Sequence, residues 1–215
     1  MKLSLFTAAP LLALLLFGAP ASATVQHRFA LIVGNDQGGP DTRPLHFAAE
    51  DARKVHAVLT QLGGVRPSDA ALVLNQEASE FWRAFSAMEM HVADSKLRGE
   101  RALFILYYSG HAKDGDLRLG ESRVHLDEVK ARLSAARADV RIGVFDSCHS
   151  GMVTRSKGAR RAPAFEVESG GSEDTRGLVL LSSASADEDA QESDEIGGSY
   201  FSHYLVSGLR GDADR

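Results

Sequence analysis

Residues 102–111 have the sequence ALFILYYSGH, in which an unbroken apolar and aromatic run ends in Ser109, Gly110 and His111. A continuous run of this kind predicts a strand that is buried on both faces, as in a parallel sheet covered by helices. Val140 to Phe145 predicts a second such strand, which ends in Asp146-Ser147-Cys148. Side chains that follow parallel strands meet at the carboxyl edge of the sheet. We therefore expect His111 and Cys148 at one shared edge.

The flanking sequence alternates between strand and helix patterns. Apolar runs predict further strands at Phe29–Gly34, Ala70–Leu74 and Leu178–Leu181. Apolar residues spaced by three and four predict helices over residues 45–62, 81–92 and 126–136, and a last helix after a cap at Ser199, with Phe201, Tyr204, Leu205 and Leu209 on its inner face. Residues 152–177 are rich in Gly, Ser and charge, and predict a long surface loop. The alternation indicates an α/β fold with a parallel sheet covered on both faces.

The length and the net charge of the chain limit the number of domains and the classes of partner that we expect. A chain of 215 residues allows one ordinary domain with a sizeable core. The net charge is −5 and the basic residues form no long stripe. This argues against nucleic acid as the main partner.

The first residues predict an export signal. Lys2 precedes an apolar run from Leu3 to Phe17, and Ala21-Ser22-Ala23 matches the small-x-small pattern of a signal peptidase site. We expect residues 1–23 to be a signal peptide, residues 24–215 to be the mature domain, and its location to be periplasmic or secreted. The alternative is an uncleaved N-terminal anchor, although the run is short for a membrane span. No later segment of the sequence is expected to cross a membrane.

Cys148 is the only cysteine of the chain, so no intramolecular disulfide can form. A lone thiol in an exported protein is either a reactive group or a small buried hydrophobe. A thiolate is a strong nucleophile, and an imidazole can stabilise it and later protonate a leaving amine. His111 is the expected partner, because two separate strand signals place it at the edge with Cys148. His149 is the rival, but adjacent side chains of an extended segment diverge.

Two segments resemble the catalytic motifs of the caspase-like cysteine peptidases, in the metacaspase and bacterial branch of the caspase family. They are residues 107–111 (YYSGH) and 146–151 (DSCHSG), and the resemblance extends from about Phe29 to the C-terminus. Animal caspases carry a Gln-Ala-Cys version of the second motif. The resemblance implies a caspase-like three-layer sandwich with a mostly parallel sheet flanked by helices. It implies a cysteine endopeptidase with a protein or peptide substrate and no cofactor or metal.

The resemblance also assigns roles to single residues. His111 matches the acid/base, Cys148 the nucleophile, and the backbone N–H groups of Gly110 and Cys148 the oxyanion hole. Asp146 and Asp187 match acidic residues that bind the P1 side chain, which implies cleavage after Arg or Lys. The alternatives are that Asp146 only orders the turn after its strand, and that Asp187 belongs to a solvated acidic loop.

The loop after Cys148 contains Arg155, Lys157, Arg160 and Arg161. A basic exposed loop is a natural protease target, so we expect self-cleavage there, with a plain solvated loop as the alternative.

Two departures from the family pattern leave alternatives open. His111 and Cys148 are 37 positions apart, fewer than the roughly fifty of caspases, so the elements between them should be minimal. Family members usually continue past the region that matches Ser199 to Leu209. An early C-terminus would favour an inactive caspase-like module that binds peptides or proteins. A third alternative is another hydrolase or transferase with a Cys–His pair. No carboxylate cluster has calcium-loop spacing, and the sequence does not determine the oligomeric state.

Overall fold

The central sheet brings the two predicted motif strands side by side. The structure is a computed structural model that describes residues 26–147, the backbone of 166–169, and residues 177–183 and 192–212. Within these residues six strands form one sheet, in the spatial order β2 (Ala70–Leu74), β1 (Gln26–Asn35), β3 (Arg101–Gly110), β7 (Val140–Asp146), β9 (Leu178–Ser182) and β8 (Glu166–Ser169). The first five are parallel to one another, and β8 pairs antiparallel with β9.

In the part of the chain that the structure describes, four helices cover the sheet, two on each face. The helices α1 (Ala48–Gln61) and α4 (Tyr200–Leu209) pack on one face, and α2 (Ala78–Leu97) and α3 (Leu126–Ala135) pack on the other. This three-layer arrangement confirms the predicted α/β sandwich with a mostly parallel sheet.

Strand β3 shows why its sequence is apolar throughout. Phe104, Leu106 and Tyr108 join the core under α2 and α3, whereas Tyr107 faces the core under α1 and α4. All four side chains are fully buried. Each apolar side chain of this size contributes about 1.5–3 kcal/mol on burial. A strand covered on both faces must therefore carry apolar residues at consecutive positions.

The sequence patterns did not predict a small sheet between His111 and α3. It consists of β4 (Ala112–Lys113), β5 (Asp116–Leu119) and β6 (Ser122–His125), paired antiparallel in chain order. A second small pair joins β10 (Glu192–Ser193) to β11 (Gly198–Ser199), and a 3-10 helix spans Pro67–Asp69. The elements between the two motifs are short, as the 37-residue interval predicted.

Two other predictions need correction. Residues 152–177 are not all loop, because Glu166–Ser169 forms the antiparallel edge strand β8. The inner face predicted for α4 is also wrong in part: Tyr204 is 70% exposed and Leu209 46% exposed. Ser202 and Val206 are buried instead. The inner face includes a serine because that hydroxyl has polar partners inside the protein, so a purely apolar stripe misplaces the face.

The start of α1 differs slightly from the prediction. Leu45 precedes the helix, and its backbone N–H donates to the carbonyl oxygen of Asp36 at 2.8 Å. The first backbone N–H groups near the helix start are satisfied by carboxylates: Asp36 accepts from Ala49, and Glu192 accepts from His46 and Phe47. The Ser199 cap of α4 is confirmed, because its hydroxyl accepts from the N–H of Ser202 at 2.9 Å. None of the helices in the described residues combines the length and the hydropathy needed to cross a bilayer.

Candidate active site

The described ends of the two motif strands lie side by side in the sheet. Ser109 of β3 pairs with Asp146 of β7 in the parallel register. His111 follows Ser109 by two positions, and Cys148 follows Asp146 by two positions in the sequence. Cys148 and Asp187 lie outside the described residues, as do the basic residues 155–161, so their predicted roles stay predictions.

The ring of His111 is held by the loop of residues 36–45, which we call the 36–45 loop. Its Nε2 atom lies 2.7 Å from the carbonyl oxygen of Arg43. A carbonyl oxygen can only accept, so Nε2 carries the hydrogen and Nδ1 is the acceptor of the neutral ring. Gly38 lies against the same ring, because a Cβ atom there would be 2.6 Å from Cδ2 of His111. The loop therefore fixes both the tautomer and the orientation of the imidazole.

Gly110 is required by packing inside the protein. A Cβ atom at this position would lie 2.6 Å from the hydroxyl oxygen of Tyr108 and 3.0 Å from the carbonyl oxygen of Asn35. The closest atom to that Cβ position belongs to Tyr108, so the glycine makes room for a side chain of the protein itself. The Tyr108 hydroxyl lies 2.7 Å from the carbonyl oxygens of both His111 and Arg118. Tyr108 thus fixes the backbone at His111 through these contacts.

Asp146 is a buried carboxylate, only 3% exposed. Its Oδ2 atom accepts from the hydroxyl groups of Ser199 and Ser202, the latter at 2.6 Å. The Ser202 oxygen in turn lies 2.5 Å from the hydroxyl of the buried Tyr107. Burial raises the pKa of the Asp146 carboxyl, and the hydroxyls of Ser199, Ser202 and Ser183 oppose this rise. The Oδ1 atom is buried and has no hydrogen-bond partner within the described part of the chain.

Asp51 of α1 is a second buried carboxylate, and the sequence motifs did not predict it as a site residue. It is 1% exposed and accepts from the backbone N–H of Ser199 at 2.7 Å. Ser199 therefore bonds to both acids, through its N–H to Asp51 and through its hydroxyl to Asp146. Burial raises the pKa of Asp51 to about 6, and the charge of Asp146 adds to this rise, while Ser199 and Lys54 oppose it.

A sequence signal for Asp51 was present. It is an acid on the same face of α1 as Ala48, Ala49 and Ala52, all of them buried, whereas the neighbouring Glu50 is exposed. A charged residue amid a buried face requires partners, which makes it a site candidate. Its closest cation is Lys54, whose Nζ atom lies 3.5 Å from Asp51 Oδ1. Among the residues described, His, Cys, Asp and Glu form no group of three that could hold a metal ion.

Comparisons with known proteins identify the class of this fold and site. The family model of the caspase domain, peptidase C14, matches residues 27–215. The chain therefore belongs to the caspase-domain family of cysteine peptidases. A search of curated protein sequences gave no significant match.

Solved structures show the same fold. Caspase-1 from Spodoptera frugiperda has 14% sequence identity and a TM-score of 0.64, over 88% of this chain and 72% of that chain. A structure described as pro-sf-caspase-1 has 13% identity and a TM-score of 0.57, over 87% of this chain and 72% of that chain. At these identities the likeness establishes the fold alone.

Proposed function

We propose that this chain is a cysteine endopeptidase in which Cys148 is the nucleophile and His111 the acid/base. The observation that carries the proposal is the pairing of Ser109 with Asp146 in a chain that matches the caspase domain. His111 follows Ser109 by two positions in the sequence, and Cys148 follows Asp146 by two positions. Parallel strands advance together, so equal offsets favour a meeting of the two side chains at the edge of the sheet.

The proposed reaction uses the hydrogen-bond pattern of His111. With Nε2–H donated to Arg43, the Nδ1 atom accepts the proton of the Cys148 thiol. The thiolate attacks the scissile carbonyl carbon, and the N–H groups of Gly110 and Cys148 stabilise the oxyanion. His111 then returns the proton to the leaving amine, which departs and leaves an acyl-enzyme. Water, deprotonated by the same imidazole, hydrolyses the thioester and restores the thiol. No cofactor takes part.

We further propose that the enzyme cleaves after Arg or Lys. The support is the pair of buried carboxylates bound to Ser199. Asp146 has no ion-pair partner in the described residues, and its Oδ1 atom lacks a hydrogen-bond donor there. A basic P1 side chain would supply both a charge and donors, and Arg could bond in a bidentate manner. Asp187 is proposed as a further acid of this pocket, on the family resemblance.

A fluorogenic panel tests the function and the specificity together. Peptides with Arg, Lys, Asp or Ala at P1 are compared on wild type and on Cys148→Ala. We expect turnover with Arg and Lys, which Cys148→Ala abolishes. Turnover only after Asp would contradict the specificity. A folded protein that neither cleaves the panel nor reacts at Cys148 with an Arg chloromethylketone would favour the inactive binding module instead.

Self-cleavage in the basic stretch between Arg155 and Arg161 is proposed on the same specificity. Purified wild type should convert to two fragments on incubation, whereas Cys148→Ala should remain intact. Substituting the four basic residues of this stretch by Gln should also prevent conversion. Fragments in Cys148→Ala would point to a contaminating protease.

Export is proposed from the N-terminal pattern of residues 1–23. N-terminal sequencing of the protein isolated from its host checks this, since the mature chain should begin near Thr24. A chain that retains residue 1 in the membrane fraction would favour the anchor.

A further inference from the structure

The 36–45 loop reaches His111 through two contacts only a few residues apart. Gly38 lies against the imidazole ring, and the Arg43 carbonyl oxygen accepts from Nε2. Between them a turn is closed by Thr42, whose N–H and hydroxyl both donate to the Gly39 carbonyl oxygen, at 3.2 and 3.1 Å. The position of this turn therefore decides where the Arg43 carbonyl points.

Asp41 extends from that turn to two cations of the β4–β5 hairpin. One carboxylate oxygen bonds to a guanidinium nitrogen of Arg118, and the other lies 2.9 Å from Nζ of Lys113. The two cations differ in burial: the Arg118 side chain is 4% exposed and that of Lys113 is 48% exposed. Removing the partner of a buried charge is costly, whereas an exposed ion pair contributes little. The bond to Arg118 is therefore the one that anchors the turn.

Arg118 is also joined to the backbone of His111. Its N–H donates to the His111 carbonyl oxygen at 2.9 Å, and the Tyr108 hydroxyl lies 2.7 Å from the carbonyl oxygens of both residues. The hydrogen bonds thus close a ring: from the His111 backbone to Arg118, from Arg118 to Asp41, and through the turn to the Arg43 carbonyl and the His111 imidazole.

We propose that Asp41 and Arg118 are positioning residues for His111. The ion pair between Asp41 and Arg118 holds the 36–45 loop in place, so that the Arg43 carbonyl oxygen fixes the His111 imidazole as its Nε2–H tautomer. The kinetic consequence rests on the proposed peptidase function, but the structural consequence does not. Without the ion pair of Asp41 and Arg118, the Arg43 carbonyl oxygen is no longer aligned with Nε2 of His111. The fraction of His111 in the tautomer whose Nδ1 is an acceptor then falls.

The test combines NMR with kinetics. Ring ¹⁵N shifts of His111 are recorded near neutral pH in Cys148→Ala, with and without Asp41→Asn. We expect a nearly pure Nε2–H tautomer that becomes a mixture in Asp41→Asn. In the protein that retains Cys148, Asp41→Asn should lower kcat about ten- to a hundredfold while KM changes little. A misplaced catalytic group lowers the rate of the reaction more than it weakens substrate binding.

Matched variants distinguish the loss of the Asp41–Arg118 ion pair from the loss of a charge elsewhere. Glu80→Gln removes a carboxylate from an exposed ion pair with Arg83 on α2, and Lys113→Met removes the exposed partner of Asp41. Both should keep the tautomer and kcat of wild type. Arg118→Lys keeps the charge without the guanidinium fork, and should shift both readouts in the direction of Asp41→Asn.

The outcomes are distinct. An unchanged tautomer and kcat in folded Asp41→Asn would overturn the proposal, and if that variant does not fold, unchanged values in Arg118→Lys would do the same. A wild type without peptidase activity whose tautomer still depends on Asp41 would reject the proposed function and support the positioning role.

Discussion

Ser109 of β3 and Asp146 of β7 are direct neighbours in the parallel ladder. In the sequence, His111 stands two positions after Ser109, and Cys148 stands two positions after Asp146. The hydrogen bond from Nε2 of His111 to the carbonyl oxygen of Arg43 orients the imidazole. Four further expectations follow from these contacts and from the buried acids beside them.

His111, and not His149, is expected to be the acid/base. His111→Asn should lower kcat/KM about 10²–10⁴-fold, the usual contribution of a general acid/base. His149→Asn should retain most of the activity. The measurement is turnover of an Arg peptide, with His203→Asn on the exposed face of α4 as control. Loss of activity in His149→Asn with His111→Asn unaffected would reverse the assignment.

Ser202 is expected to stabilise the fold through Asp146. Ser202→Ala removes one of the hydroxyl donors to a buried carboxylate and leaves the Tyr107 hydroxyl without its acceptor. The free energy of unfolding should fall by about 1–3 kcal/mol, the cost of leaving a buried polar group unsatisfied. Urea denaturation measures this, with Ser207→Ala on the same helix as the matched control. Equal midpoints for the two variants would contradict the role of Ser202.

Asp51 is expected to make stability depend on pH. Burial raises the pKa of its carboxyl from 3.8 to about 6. Between those values the folded protein keeps a proton that the unfolded chain releases, so the free energy of unfolding falls as the pH rises. A shift of about two pKa units corresponds to roughly 3 kcal/mol.

The Asp51→Asn variant has no proton to lose, and should therefore show a smaller fall in stability from about pH 4 to pH 6. Urea unfolding over this range gives the two curves. Asp127→Asn, which changes a 97% exposed side chain, should follow wild type. Parallel curves for wild type and Asp51→Asn would show that Asp51 does not titrate in this window.

The absence of a side chain at Gly38 is expected to be required for the position of the His111 ring. In Gly38→Ala the new methyl group would lie 2.6 Å from Cδ2 of His111 and 2.6 Å from Oγ1 of Thr42, so the ring or the loop must move. We expect kcat to fall about tenfold or more, with the melting temperature almost unchanged. Gly208→Ala, where the methyl group meets no atom within 4 Å, is the control. Wild-type kcat in Gly38→Ala would show that the ring tolerates displacement.

The predicted elements agree closely with the structure where periodicity was strong. Strand β2 coincides with the predicted Ala70–Leu74, and α3 ends one residue before the predicted Ala136. The small sheet β4–β6 and the two-residue pair β10–β11 were missed, because elements of two to four residues are too short to show a period. On α4, Tyr204 was assigned to the inner face because apolar character was the only guide, and the true inner face carries Ser202.

The sequence by itself determined the layers of this protein and the two motifs, because an apolar run long enough to be buried on both faces requires helices above and below it. Only the tertiary structure brought Asp51 to Ser199, which is 148 positions away, and the Arg43 carbonyl to His111, which is 68 positions away. A carbonyl oxygen is common to every residue, so its partner leaves no mark on side-chain identity. A carboxylate likewise becomes a buried, pKa-shifted group only when distant segments fold over it and exclude water.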